Sequence, residues 1–123
     1  MTPFGARYVG HRRGERNTTG RAQVLVRDGA KEYPLPLRLD LFNHSPDGFN
    51  WGYGGSGPAQ LALAILHDAI AHANKEMPCT AADMAVGLHQ LFKEEEIATI
   101  DPANDWSMSR DYVIDWVLKK HYK

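Results

Sequence analysis

The sequence predicts a small α+β domain, an antiparallel β-meander of about three strands packed against about three helices. Strand-like periodicity is confined to residues 1–42, a turn-rich aromatic-glycine segment occupies 43–57, and helical periodicity runs through 58–123. Strands first and helices after, with no alternation of the two, is the pattern of segregated layers rather than of a parallel sheet. The length of 123 residues suits a single domain with one core. No segment repeats another.

Arg7–Gly10 reads as the first strand. A long polar turn follows over 11–21, marked by Gly14, Asn17 and Gly20. Ala22–Arg27, centred on Val24, Leu25 and Val26, is the second strand, and Asp28-Gly29 signals the next turn. Beyond it Leu35, Leu37, Leu39 and Leu41 alternate with Pro36, Arg38, Asp40 and Phe42, the clearest period of two in the chain. These leucines are expected to share one buried face, with Pro34 and Pro36, which lack donors, restricting the start of that strand to an edge. The segment 43–57 sets Phe49, Trp51 and Tyr53 among glycines and turn formers. It reads as an ordered loop, since burying each such ring supplies about 1.5–3 kcal/mol and a disordered linker would forgo it.

Pro58 opens the first helix, where its missing donor is harmless. Leu61, Ile65, Leu66, Ala69, Ile70 and Ala73 form its apolar stripe, and Gln60, His67, Asp68 and Lys75 are assigned to the opposite side. Pro78 closes it. Thr80 with Asp83 resembles a capping box for a second helix, striped by Met84, Leu88, Leu91 and Phe92 and ending near Lys93. Residues 95–100 read as extended or irregular, and Asp101-Pro102 as a turn. Ser109 caps a last helix with Tyr112, Val113, Trp116 and Val117 on one face and Lys119, Lys120 and His121 at its negative dipole end.

Several function classes drop out. No stretch of 18 apolar residues exists, so no membrane span is expected, and the start lacks a signal-peptide core; a cytoplasmic protein is expected. The single cysteine, Cys79, rules out an internal disulfide and reads as an inert thiol. Charge is unevenly placed: residues 1–31 hold seven basic side chains against two acidic, and the remainder seven against thirteen. The basic end, with Arg12, Arg13 and Arg16 in the predicted turn, suits phosphates or an acidic protein surface, although nucleic acid is not the favoured partner. Glu94–Glu96 reads as a solvent-facing run.

Gly52-Tyr53-Gly54-Gly55-Ser56-Gly57 satisfies the letter of a dinucleotide-binding glycine loop but lacks its preceding strand and βαβ setting. A phosphate-binding P-loop would require Lys-Ser/Thr where Pro58-Ala59 stand, and a hydrolase elbow around Ser56 would require glycine in place of Pro58. A glycine bend feeding a helix start still presents amides to an anion, with Ser56 beside them and Trp51 or Tyr53 available to stack on a base. Gly54, Gly55 and Gly57 complete that candidate site. The bland alternative is a tight corner that clamps the sheet to the helix, with Ser56 as an internal cap. The six histidines form no HxxxH or HExxH pair, His67 and His72 point about 140° apart on an ideal helix, and His44, Ser45 and Asp47 read as a turn. No cofactor or metal is expected.

The run Phe49–Leu66, FNWGYGGSGPAQLALAIL, resembles the signature of a family of small uncharacterised proteins of bacteria, phages and mobile elements, a domain of unknown function. The resemblance extends to Tyr8, Gly10, Trp106 and Trp116. It implies a shared small domain and a mobile-element setting, and supplies no catalytic residues. The expected function is therefore a non-enzymatic binding protein that blocks a protein partner, such as a host defence component, in the manner of an anti-CRISPR in the host cytoplasm. A binder of an anionic small molecule at the glycine loop is the alternative, and a small enzyme using His44 or His72 the third.

Overall fold

The computed structural model describes residues 5–11, 22–73 and 78–121. Four strands and three helices follow in the order β1 (Arg7–His11), β2 (Gln23–Asp28), β3 (Lys31–Pro34), α1 (Ser56–Ala73), α2 (Pro78–Phe92), β4 (Trp106–Ser109) and α3 (Arg110–His121), with a π-helical turn, Lys93–Ile97, extending α2. The fold is α+β, as the segregated periodicities predict.

The sheet is antiparallel throughout, in the order β3-β2-β1-β4. The first three strands form an antiparallel meander, as expected, although the third lies earlier than the leucine pattern predicts, at Lys31–Pro34. The fourth comes from late in the chain and pairs with the free edge of β1, so that Tyr8 lies opposite both Val26 and Met108. Val26 in turn faces Tyr33. Directly paired residues share a face, so Tyr33, Val26, Tyr8 and Met108 form one row, with Tyr8 and Val26 fully buried. In the neighbouring row Gly10 is paired with Trp106, and a Cβ on Gly10 would lie 2.1 Å from the indole Nε1. Only glycine leaves room for that ring, which in turn packs edge-on against Trp51 with centroids 5.6 Å apart.

One expected element fails. The strand read from the alternating leucines stops at Pro34, and residues 35–38 are irregular and lead into a turn at 39–41. Pro34 and Pro36 offer no amide to a ladder, Arg38 takes a left-handed φ of 59°, and only Leu35 of the four leucines is buried. Helix α2 starts at Pro78, earlier than expected, and the side chains of Cys79 and of Thr80, the expected cap, lie outside the described residues.

Helix α1 is the centre of the molecule. Every residue from Gly57 to Leu66 is buried, as in a helix enclosed on all sides. It shares one core with Tyr8, Val24 and Val26 of the sheet, Ala81 and Ala85 of α2, and Val113 and Trp116 of α3. Of residues 95–100, expected to be extended or irregular, 95–97 instead complete the π-helical turn, where the Ala98 amide donates to the Lys93 carbonyl at 2.8 Å, while 98–100 are an irregular turn. Residues five apart diverge by about 140° on an α-helix; the wider turn brings Phe92 and Ile97 into the same core, both fully buried. Glu95 accepts from Trp116 Nε1 at 2.9 Å and pairs with Lys120 at 3.0 Å, and Glu96 accepts from the Tyr112 hydroxyl at 2.5 Å. Two of the three glutamates therefore fasten α3, where a solvent-facing run was expected. The Ser109 cap is present, its Oγ accepting from the Tyr112 amide at 3.0 Å.

Candidate binding site

The aromatic-glycine segment is tied to distant parts of the chain. The Gly52 amide donates to the Ile97 carbonyl at 3.1 Å, and Trp51 Nε1 donates to the Asn104 carbonyl at 3.1 Å. Trp51 is fully buried, so it has no face to stack on a base. A Cβ on Gly57 would sit 2.7 Å from that of Asn50, and one on Gly55 2.3 Å from the Tyr53 ring. These glycines are places of close packing. Tyr53, Gly54 and Ser56 are exposed, beside an open cleft of about 830 Å³ walled by Asn50, Tyr53, Pro102, Asn104 and Asp105. Arg12, Arg13 and Arg16, with most of the predicted 11–21 turn, lie outside the described residues.

The polar residues of α1, assigned by periodicity to its outer side, are instead its most deeply connected. Gln60 is fully buried. Its Oε1 accepts from the amides of His44 at 2.7 Å and Ser45 at 3.0 Å, and its Nε2 donates to the carbonyls of Leu37 at 2.6 Å and Phe42 at 3.0 Å. That is the full capacity of an amide, two donors and two acceptor sites, given to one loop. The loop is held a second time through His44. The His89 Nδ1 donates to the Val86 carbonyl at 2.7 Å, which leaves its Nε2 as an acceptor for His44 Nε2–H at 2.9 Å. Burial, then His89 and Lys93, lower the pKa of His44 and favour this neutral arrangement. Phe42 stacks on the His44 ring at 4.2 Å, while Ser45 Oγ closes its own turn by donating to the Gly48 carbonyl at 2.7 Å. Despite this anchoring the apex faces solvent: Leu39 is 37% and Phe42 48% exposed.

About two helical turns further on, Asp68 is 8% exposed and receives three donors. Tyr8 Oη donates to Oδ1 at 2.6 Å, Arg110 Nη2 to the same oxygen at 2.8 Å, and Tyr33 Oη to Oδ2 at 2.9 Å. Arg110 Nε also donates to Tyr8 Oη at 3.2 Å. Burial raises the pKa of Tyr8 above the ordinary phenol range, reinforced by the Asp68 charge, and the same causes push Tyr33 up to about 12. Burial works against the Arg110 charge, yet its bonds to Tyr8 and Asp68 outweigh that and hold its pKa above the usual arginine value. A cleft of about 340 Å³ opens beside this network, between α1 and residues 36–38. His67 and His72 both border it although their helical angles diverge. The described residues contain no cluster of three or more His, Cys, Asp or Glu side chains placed to hold a metal.

Gln60, His44, His89, Asp68 and Arg110 each have a structural partner. The model of a family of unknown function, DUF6166, matches residues 8–119, and the chain belongs to that family. Comparison with curated proteins and with solved structures returned no match. No helix among the described residues is long and apolar enough to cross a membrane.

Proposed function

We propose that this domain is a non-enzymatic binding module that docks the Leu39–Phe42 apex of its loop onto a protein partner. The observation that carries the reading is the Gln60 amide, whose four hydrogen bonds hold a loop with an apolar, solvent-facing tip. Fixing a loop before contact removes an ordering penalty from association, and an exposed aromatic at a rigid tip is a frequent anchor of protein interfaces. The unequal charge of the two ends of the chain would steer such an encounter. Blocking of a host component by a phage or mobile-element protein, a defence complex included, is the biological form of this reading. Capture from bacterial host lysate tests it. A stoichiometric partner is expected with the wild-type protein and lost with Leu39→Ser/Phe42→Ala at unchanged melting temperature. Absence of a partner, or equal capture by the variant, overturns it.

The second reading, an anionic small molecule beside the glycine loop, is favoured by the open cleft next to Tyr53 and opposed by Asp105 in its wall. Saturable thermal stabilisation by nucleotides or inorganic phosphate, lost in Tyr53→Ala, would put it ahead of the first.

A further inference from the structure

The cleft walled by residues 50–53 and 102–105 is built more firmly than an open surface hollow requires. Gly52 takes φ 87°, and a Cβ there would stand 2.5 Å from that of Pro102, so glycine is what lets the two segments meet. The Trp51 indole donates to the Asn104 carbonyl across the join. On the second segment Asp101 closes its own turn, its Oδ1 accepting from the Ala103 amide at 2.9 Å and its Oδ2 from Asn104 Nδ2 at 3.0 Å. Both walls are therefore set before a ligand arrives, which removes an ordering cost from binding. Tyr53 is fixed as well. Its ring is seated against Gly55, where a Cβ would collide with it, yet the residue remains 48% exposed. A ring so positioned adds little to the core and leaves a flat apolar surface at the edge of the cleft.

We propose that this cleft binds a neutral saccharide, with the apolar C–H face of one pyranose ring on Tyr53 and its hydroxyls on the side chains of Asn104 and Asp105. A pyranose combines such a face with a rim of groups that both donate and accept. The cleft has the matching composition: Tyr53 and Pro102 are its apolar surface, and Asn50, Asn104 and Asp105 its hydrogen-bonding side chains. Asn104 gives one Nδ2 proton to Asp101 and keeps the other, with its Oδ1, unpartnered among the described residues. Asp105 meets His11 Nδ1 at 3.4 Å with its side chain 51% exposed, and a carboxylate has about four acceptor sites, so hydroxyls can still donate to it. Charge selects the ligand class. Among the described residues the lining holds one carboxylate and no basic side chain, which disfavours phosphates and nucleotides, while a simple cation would leave both amides unused. The volume of about 830 Å³ lies within the range of small-molecule sites. No lining residue belongs to the Leu39–Phe42 apex, so the site stands or falls apart from partner docking.

Nuclear magnetic resonance titration of the isotope-labelled protein with D-glucose, D-mannose, D-galactose and N-acetyl-D-glucosamine decides the matter. Saturable shifts at the amides of Tyr53 and Gly54 and at the Asn104 side chain are expected with at least one of these sugars. Tyr53→Ala and Asp105→Ala, both at exposed positions that the fold tolerates, should each lower that affinity at least about tenfold. Tyr53→Phe keeps the ring and should bind as wild type does. Adenosine monophosphate, inorganic phosphate and tetramethylammonium, titrated in parallel, should bind more weakly than the best sugar. Absence of saturable shifts with all four sugars, tighter binding of any of the three charged compounds, undiminished sugar affinity in either alanine variant, or equal losses in Tyr53→Phe and Tyr53→Ala each overturns the assignment.

Discussion

Arg110 at the start of α3 donates to Asp68 in the middle of α1 at 2.8 Å, with side chains 13% and 8% exposed respectively. The pair locks the last helix to the central one, and Tyr8 and Tyr33 bring the sheet to the same carboxylate. Removing one member of such a pair strands the other charge away from water. Asp68→Ala is expected to lower stability by about 3–5 kcal/mol. Urea denaturation measures this directly, and a loss under about 1 kcal/mol, the scale of a surface ion pair, would contradict it.

Gln60→Leu keeps the bulk and abandons two amides and two carbonyls. Each buried polar group left unmet costs about 1–3 kcal/mol, and partial hydration of the loop will relieve some of it. A total loss of at least about 3 kcal/mol is expected on that scale. Hydrogen exchange should quicken at the amides of His44 and Ser45, which donate to Gln60, while the central turns of α1 stay protected. Unchanged exchange at those two amides would show that the loop holds itself.

Stability should pass through a plateau in pH. Tyr33 is raised from 10.0 to about 12 and Tyr8 is raised as well, so the folded state keeps protons that the unfolded chain releases. Their stabilisation is complete below pH 10.0 and fades as pH climbs from there towards about 12. His44 and His67 are lowered from 6.5, each chiefly by burial; the unfolded chain then takes up protons that the folded state resists, and stability falls as pH drops below 6.5. Denaturant midpoints across this range check both limbs. Tyr33→Phe should flatten the alkaline limb and His44→Phe the acid one.

Gly57→Val should destabilise the protein by about 1–3 kcal/mol through overpacking, since even a Cβ there would stand 2.7 Å from that of Asn50. Gly54→Ala is the control. Nothing lies within 4 Å of a Cβ at Gly54, and its melting temperature should be unchanged or slightly higher. Equal effects of the two substitutions would remove the argument for a close-packed corner.

The layer order, the first two strands, the helix opening near Pro58 and the Ser109 cap were all readable, because each is written in local periodicity or capping chemistry. Two errors share another origin. The leucines at 35, 37, 39 and 41 have the spacing of a strand, but the amide of Gln60 claims the carbonyls of Leu37 and Phe42 and the amides of His44 and Ser45 just beyond, a long-range preference no local period records. Helical periodicity alone puts Gln60 and Asp68 on an outer face, because it does not register that the helix is enclosed on all sides. The signal was present: Leu61, Leu63, Ile65 and Leu66 with Ala59, Ala62, Ala64 and Ala69 cover every side of one helix, so its polar residues had to be interior and bonded. The fourth strand, Trp106–Ser109, is too short and polar to stand out, and its place beside β1 follows from Gly10 admitting the Trp106 indole.

That placement governs how the chain reaches its native state during synthesis. Strand β1 lies between β2 and β4, and the latter leaves the ribosome about a hundred residues after it. Until Trp106–Ser109 emerges, one margin of β1 stays open and the Tyr8 hydroxyl awaits its guanidinium. Nascent chains arrested short of Arg110 should therefore yield readily to protease, and resistance should arrive in one late step, the kinetic signature of a topology dominated by distant contacts.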